Sequence, residues 1–182
     1  MQRINLKYLA IFMGLGFCFG AISCGPPKPT GELLPTNQAR KKIDPFVEGN
    51  KRIVALENEE IELFLKRYGW NVTETGSGLR VQKTKQGKGL RPREGQSVTL
   101  KYKTYLLDGT LVYDSDSLGT KTFVLGKSEE IVGLHEVVGK MSKGDAARVI
   151  IPAHLAYGTG GDGNRVPGHK TIAMIIQLVD IK

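Results

Sequence analysis

His135, His154 and His169 are the residues to which acid–base or metal chemistry would first be assigned, and their spacing supports neither. Metal ligands converge when His, Cys and carboxylates recur at short fixed intervals, and no such grouping occurs here. His135 follows Leu134 on a different face of a predicted helix, where a surface position is the expectation. Both cysteines, Cys18 and Cys24, fall in the first stretch, so the body of the chain has none for an internal disulfide or a thiolate metal site. The body is therefore expected to work without metal or cofactor, held together by its core alone.

That body must be globular. Of 182 residues, 40% are apolar and 24% charged, which is the composition of a soluble domain with appendages. The formal charge of +8 falls by two if residues 1–23 are removed, since they hold Arg3 and Lys7 and no acid. The remaining Lys and Arg residues spread through Arg40 to Arg52 and Lys83 to Arg93 with little of the aromatic interleaving that stacks bases. A solvated basic face is expected and nucleic acid is not, with attraction to anionic lipid headgroups as a secondary use.

The N-terminus has the layout of an export signal. Met1 to Lys7 carries the two cations, Tyr8 to Ala21 is uncharged and mostly apolar, and small residues precede Cys24. The apolar run is shorter than the roughly 20 residues that span a hydrocarbon core. Ala21-Ile22-Ser23-Cys24 resembles a bacterial lipobox, which implies a signal peptide over 1–23 and lipidation of Cys24. The envelope location this implies is membrane-anchored and periplasm-facing. An ordinary signal peptide cut nearby, leaving Cys24 unpaired or removed, is the alternative. Gly25-Pro26-Pro27-Lys28-Pro29, continued by Thr30, Gly31 and Pro35, predicts a stiff extended tether over 24–43.

Over 44–78 the pattern predicts a helical appendage. Asp44-Pro45 is a start signal, because Asp accepts an orphan N–H and Pro has none to lose. Ile53, Val54, Leu56, Ile61, Phe64, Leu65 and Tyr68 recur at near-helical spacing, and Gly69 supplies a stop. Asn58 could cap a second helix, so one kinked element or two are both open. The stripe is expected to pack on the domain more readily than on another copy, and the oligomeric state stays open.

From Leu79 to Lys182 short β-rich runs separated by turns predict an α+β domain. Val98 to Leu106 and Leu111 to Tyr113 flank Asp108-Gly109, a strong hairpin signal. Thr122 to Leu125, Ala146 to Ile151 and Ile172 to Ile181 bring the count to at least five strands. Glu129 to Lys140 is the one helical pattern. It places Ile131, Leu134, Val137 and Val138 on a face that should lie against the sheet.

Eight motifs stand in order along this stretch: Tyr102; Asp108-Gly109; Tyr113-Asp114-Ser115; Leu125-Gly126-Lys127; Ile131-Val132-Gly133; Met141-Ser142-Lys143-Gly144; Ala156-Tyr157-Gly158; and Val166-Pro167. In this order Val98 to Lys182 resembles the FKBP-type peptidyl-prolyl cis-trans isomerases. The resemblance implies an antiparallel half-barrel sheet wrapped around one short helix, with a proline-binding pocket between them. By the same resemblance Tyr102, Tyr113, Leu134, Val166 and Met174 would be pocket residues. Ile131 would offer its backbone N–H and Tyr157 its hydroxyl to substrate carbonyls, and Asp114 would be the acidic residue at the rim. Leu134 stands where the family has a Trp floor and Met174 where it has an aromatic wall, which implies a wider, softer pocket. One extra residue between Asp108-Gly109 and Tyr113-Asp114 implies a bulge.

Rotation about an X–Pro bond faces a barrier near 20 kcal/mol set by amide resonance. The twisted amide has lost conjugation and is less charge-separated, so a dry apolar cup favours it without any catalytic triad. The expected substrates are proline-containing polypeptides of the envelope, whose folding the enzyme would assist. Two other functions compete: a non-catalytic peptide-binding chaperone module, and a structural lipoprotein acting through the Ile53 to Tyr68 stripe. Read by residue type alone, Tyr102 and Ile131 are core residues and Asp114 a turn residue beside Ser115 and Asp116.

Overall fold

The computed structural model describes residues 44–127 and 130–182; Cys24, the signal segment and the tether lie outside them. The described chain opens with one continuous helix, α1 (Pro45–Tyr68). Asp44 caps it by accepting the Phe46 N–H at 2.9 Å, and Gly69, at φ 63°, closes it by donating its N–H to the Leu65 carbonyl. The helix runs uninterrupted through Asn58, which caps no second helix and instead accepts a hydrogen bond from the buried Arg80 guanidinium at 3.0 Å.

Seven strands follow: β1 (Thr73–Glu74), β2 (Arg80–Lys85), β3 (Ser97–Leu106), β4 (Leu111–Asp114), β5 (Lys121–Val124), β6 (Ala146–Ile151) and β7 (Ile172–Ile181). They form a single antiparallel sheet in the order β1-β2-β6-β7-β3-β4, with β5 pairing on β3. The fold class is α+β, as expected. The first two strands were not foreseen as such, because β2 reads as a run of cations and β1 is only two residues long. A four-residue helix, α2 (Ser115–Leu118), also went unforeseen. The helix expected from Glu129 is shorter, α3 (Val132–Gly139), with Ile131 in extended conformation at its N-cap.

The sheet has two apolar faces, and each is covered. Along β7, Ile172, Met174, Ile176 and Leu178 alternate into the main core, where they meet Leu134, Val137 and Val138 of α3. On the opposite face Ala173 and Ile150 pack against Ile61, Phe64 and Leu65 of α1. Burial of those three α1 side chains stabilises the docking by roughly 1.5–3 kcal/mol each. Polar bonds add direction to it: Glu57 of α1 accepts the Ala153 N–H at 2.8 Å and the Thr171 hydroxyl. The packing expected of the whole stripe holds only for Ile61, Phe64 and Leu65. Ile53, Val54 and Leu56 remain more than half exposed. No helix among the described residues is long and apolar enough to cross a membrane.

Two local features position the site. Gly133 of α3 lies where an added Cβ would meet Ile151 Cγ2 at 2.4 Å, so glycine lets the helix come down onto β6. In the β3–β4 hairpin Tyr105 pairs with Leu111 and Thr104 with Tyr113, which leaves Val112 as an extra residue. That bulge is where the additional residue before Tyr113 is accommodated. The turn itself forms at Asp108-Gly109, with Gly109 at φ 99° and the Asp108 carboxylate accepting the Thr110 N–H at 2.7 Å.

Candidate functional site

A cavity of about 340 Å³ opens between α3 and the concave face of the sheet. Six of the sequence-predicted residues line it: Tyr102 from β3, Tyr113 from β4, Ile131 and Leu134 at the start of α3, Tyr157 from the loop after β6, and Met174 from β7. They come from five separate stretches of chain. Their alternation in the strands is what aims them inward: Tyr102 pairs with Ile176 and Thr104 with Met174, all on the α3 side. Leu134 and Met174 are 1% and 4% exposed and form the apolar bottom. The Ile131 carbonyl accepts the N–H groups of Leu134 and His135, so the residue's own N–H precedes the first helical bond and is not used by the helix.

Asp114 and Val166 stand outside the lining. The Asp114 carboxylate accepts the Asp116 N–H at 2.8 Å as the cap of α2 and pairs with Lys103 at 3.0 Å. Those two partners, the Asp116 N–H first, hold its carboxyl below the usual range. Through this cap Asp114 fixes α2, whose Leu118 does reach the cavity. Val166 is buried in the main core, and its N–H donates to Asp162 Oδ1 at 2.8 Å.

Asp162 is one of the lining residues the sequence reading missed. It lines the cavity and accepts the Tyr113 hydroxyl on one oxygen, with the Asn164 and Val166 N–H groups on the other. Burial works against its charge, but the Tyr113 hydroxyl and these N–H groups outweigh burial and keep the carboxyl below its usual range. Tyr113 shifts upward, through burial first and then through this bond. The Arg165 guanidinium lies 5.4 Å from the centre of the Tyr113 ring and donates to the Val112 carbonyl at 2.8 Å. Asp162-Gly163-Asn164 is legible only as a turn in sequence; its contact with Tyr113 spans 49 positions.

Lys121 and Glu130 were missed as well. They form an ion pair of 2.9 Å at the mouth, and the Lys121 ammonium sits 5.6 Å from the centre of the Tyr102 ring. Tyr157 is half-buried. Burial, followed by the nearby charges of Glu130 and Asp162, pushes its hydroxyl up to about 12, so it is a proton-bearing donor at any physiological pH. His135 is half-buried beside Phe123 and accepts the Gly126 N–H at 3.0 Å on Nδ1, which makes it a structural link between β5 and α3.

Such an arrangement offers the Ile131 N–H and the Tyr157 hydroxyl as donors above an apolar base formed by Leu134 and Met174. It can orient a flexible ligand and desolvate it. The family profile described as FKBP-type peptidyl-prolyl cis-trans isomerase matches residues 88–179, half of the chain. A protein of Neisseria meningitidis serogroup B named "Probable FKBP-type peptidyl-prolyl cis-trans isomerase FkpA" is 37% identical over 139 residues, covering 74% of this chain and 50% of that protein. "Outer membrane protein MIP" of Legionella longbeachae is 33% identical over 106 residues, covering 58% of this chain and 45% of that protein. The crystal structure of FkpA from Escherichia coli superposes with a TM-score of 0.62 at 28% identity, covering 75% of this chain and 64% of that one. The chain thus spans about half the length of the two sequence relatives.

Proposed function

The chain belongs to the FKBP-type peptidyl-prolyl cis-trans isomerase family, and from that premise we propose that it catalyses the cis–trans isomerisation of X–Pro bonds in exported polypeptides. The observation that carries this reading is the convergence of Tyr102, Tyr113, Ile131, Leu134, Tyr157 and Met174 on one cavity. A proline ring seated there would rest on Leu134 and Met174. The Ile131 N–H and the Tyr157 hydroxyl would hold the flanking carbonyls, one on each side of the bond that turns. Because the cavity base is apolar, the planar, charge-separated amide gains less from it than the twisted one does. No covalent bond need break. Asp114 then acts as a positioning residue through α2 and Lys103, and Val166 by supporting Asp162 behind Tyr113.

A protease-coupled or NMR exchange assay of the full chain on an X–Pro peptide tests this. A rate above the spontaneous one is expected, and turnover no faster than the uncatalysed reaction would leave the peptide-binding module as the better reading. Leu134 and Met174 favour that second reading to the extent that an aliphatic floor clasps the proline ring less rigidly than aromatic walls.

The place of action we infer is the bacterial envelope, with Cys24 lipidated after removal of 1–23 and residues 24–43 as tether. The lipobox-like Ala21 to Cys24 supports it, as does a relative named as an outer membrane protein. Radiolabelled palmitate incorporated into the wild type and lost in Cys24→Ala is the expected result, and equal labelling of both would overturn it.

A further inference from the structure

The mouth of the cavity carries two charges that isomerisation itself does not need. Lys121 of β5 and Glu130, next to the N-cap of α3, pair across it at 2.9 Å, with side chains 27% and 22% exposed. Both line the cavity, and both also line a second groove of about 380 Å³ that shares Ile131 and Tyr157 and continues to Val132, Ala156 and Gly161. The two hollows meet at the ion pair. A polypeptide with its proline in the first must therefore pass the adjoining residues over Lys121 and Glu130 to occupy the second.

The two partners are not equivalent. Lys121 is held twice, by Glu130 and by the Tyr102 ring, whereas Lys121 is the one partner the structure shows for Glu130 among the described residues. The cavity also contains Asp162, so its lining holds two carboxylates against one ammonium. A substrate cation can share Glu130 while Lys121 keeps its place over Tyr102. A substrate carboxylate would have to draw Lys121 away and would arrive beside Glu130 and Asp162, with like charge disfavoured at both. Burial first, and then these same two carboxylates, raise the Tyr157 hydroxyl.

Building on the isomerase reading, we propose that the Lys121–Glu130 pair is a charge filter at the mouth, selecting X–Pro segments with a Lys or Arg beside the proline and rejecting those with Asp or Glu there. The test is a series of peptides identical except for Lys, Ala or Glu before the proline, assayed on the full chain at low and high salt, with Glu130→Gln and Lys121→Gln alongside. The Lys peptide should exceed the Glu peptide in kcat/KM by roughly tenfold at low salt, and the ratio should shrink as salt screens the partly exposed pair. Glu130→Gln should bring the ratio towards one, and Lys121→Gln should widen it. Equal kcat/KM for the Lys and Glu peptides, with the Ala peptide turned over normally, overturns the filter and leaves the isomerase intact. Should no peptide turn over, the isomerase reading falls, and the filter is decided by NMR titration of the same peptides: tighter binding of the Lys peptide supports it, and equal binding refutes it.

Discussion

Replacing Gly133 by alanine tests whether the cavity depends on how closely α3 approaches the sheet. An added Cβ would stand 2.4 Å from Ile151 Cγ2, 3.2 Å from the Leu155 carbonyl oxygen and 3.4 Å from Ile151 Cδ1. Ile151 is completely buried in β6 and the Leu155 oxygen is backbone, so neither can withdraw cheaply. Overpacking of this kind costs about 1–3 kcal/mol. Alanine recovers up to about 1 kcal/mol of helix propensity. The net loss is about 1–2 kcal/mol, a fall in melting temperature of about 3–8 °C for a domain of this size. Gly139→Ala in the same helix is the internal control, because its new Cβ would meet nothing nearer than Leu125 Cδ2 at 4.0 Å. That variant should melt at or slightly above the wild type. Displacement of α3 also moves Ile131 and Leu134, so Gly133→Ala should lose kcat/KM, and displacements near 1 Å cost as much as about a hundredfold. Thermal and urea melts followed by circular dichroism, with isomerase assays on the same preparations, decide the matter. Equal stability of Gly133→Ala and wild type, or an equal loss in Gly139→Ala, would refute the close-approach argument.

Tyr157→Phe should keep the wild-type melting temperature and lower kcat/KM about fivefold, the equivalent of one orienting hydrogen bond of about 1 kcal/mol; unchanged kinetics would remove Tyr157 from the site. Because the hydroxyl is held to about 12 rather than near 10, kcat/KM should stay level through about pH 10, and an activity loss centred on the ordinary tyrosine value would contradict its burial. Asp145→Asn should lower the urea-derived stability by about 2 kcal/mol, since the buried carboxylate accepts the Gly87 and Ser142 N–H groups at 2.6 and 2.8 Å and pairs with Lys83 at 2.8 Å. Burial opposes the charge on Asp145, yet these partners outweigh it and the carboxyl sits below its usual range. The folded state therefore binds fewer protons than the unfolded one. This contribution is fully present above about pH 5 and is lost as pH falls through the ordinary carboxylate range and below. Asp145→Asn should flatten that acid loss in urea midpoints measured across pH 3–7, and parallel curves for variant and wild type would refute it.

How much of the site was legible depended on whether a signal was local. The α1 caps are set by residues within a few positions, so Asp44-Pro45 and Gly69 could be read directly. The Asp108-Gly109 turn and the period-two alternation of β7 are local in the same sense. Asp162 was not legible, because its function depends on a hydroxyl 49 residues away. The Lys121–Glu130 pair likewise shows no spacing that distinguishes it from two ordinary surface charges. Asp114 was legible as an acidic residue beside Tyr113, but only the cap of α2 and the Lys103 contact reveal that its carboxylate faces away from the cavity lining.

Sequence by itself determined the α+β class, the hairpin, the inward face of α3 and, through ordered motifs, which residues belong together. The first three follow from backbone preferences and periodicities that act over a few residues, whereas the grouping of the site residues is what the family resemblance implied. Tertiary structure decided where α1 docks, how far its stripe is covered, and which charges stand at the mouth of the cavity. Those outcomes rest on long-range contacts, in which Ile150 and Ala173 offer a second apolar face and Gly133 lets α3 settle onto Ile151. No pattern along the chain encodes such proximity, because it exists only once the sheet has brought distant strands side by side.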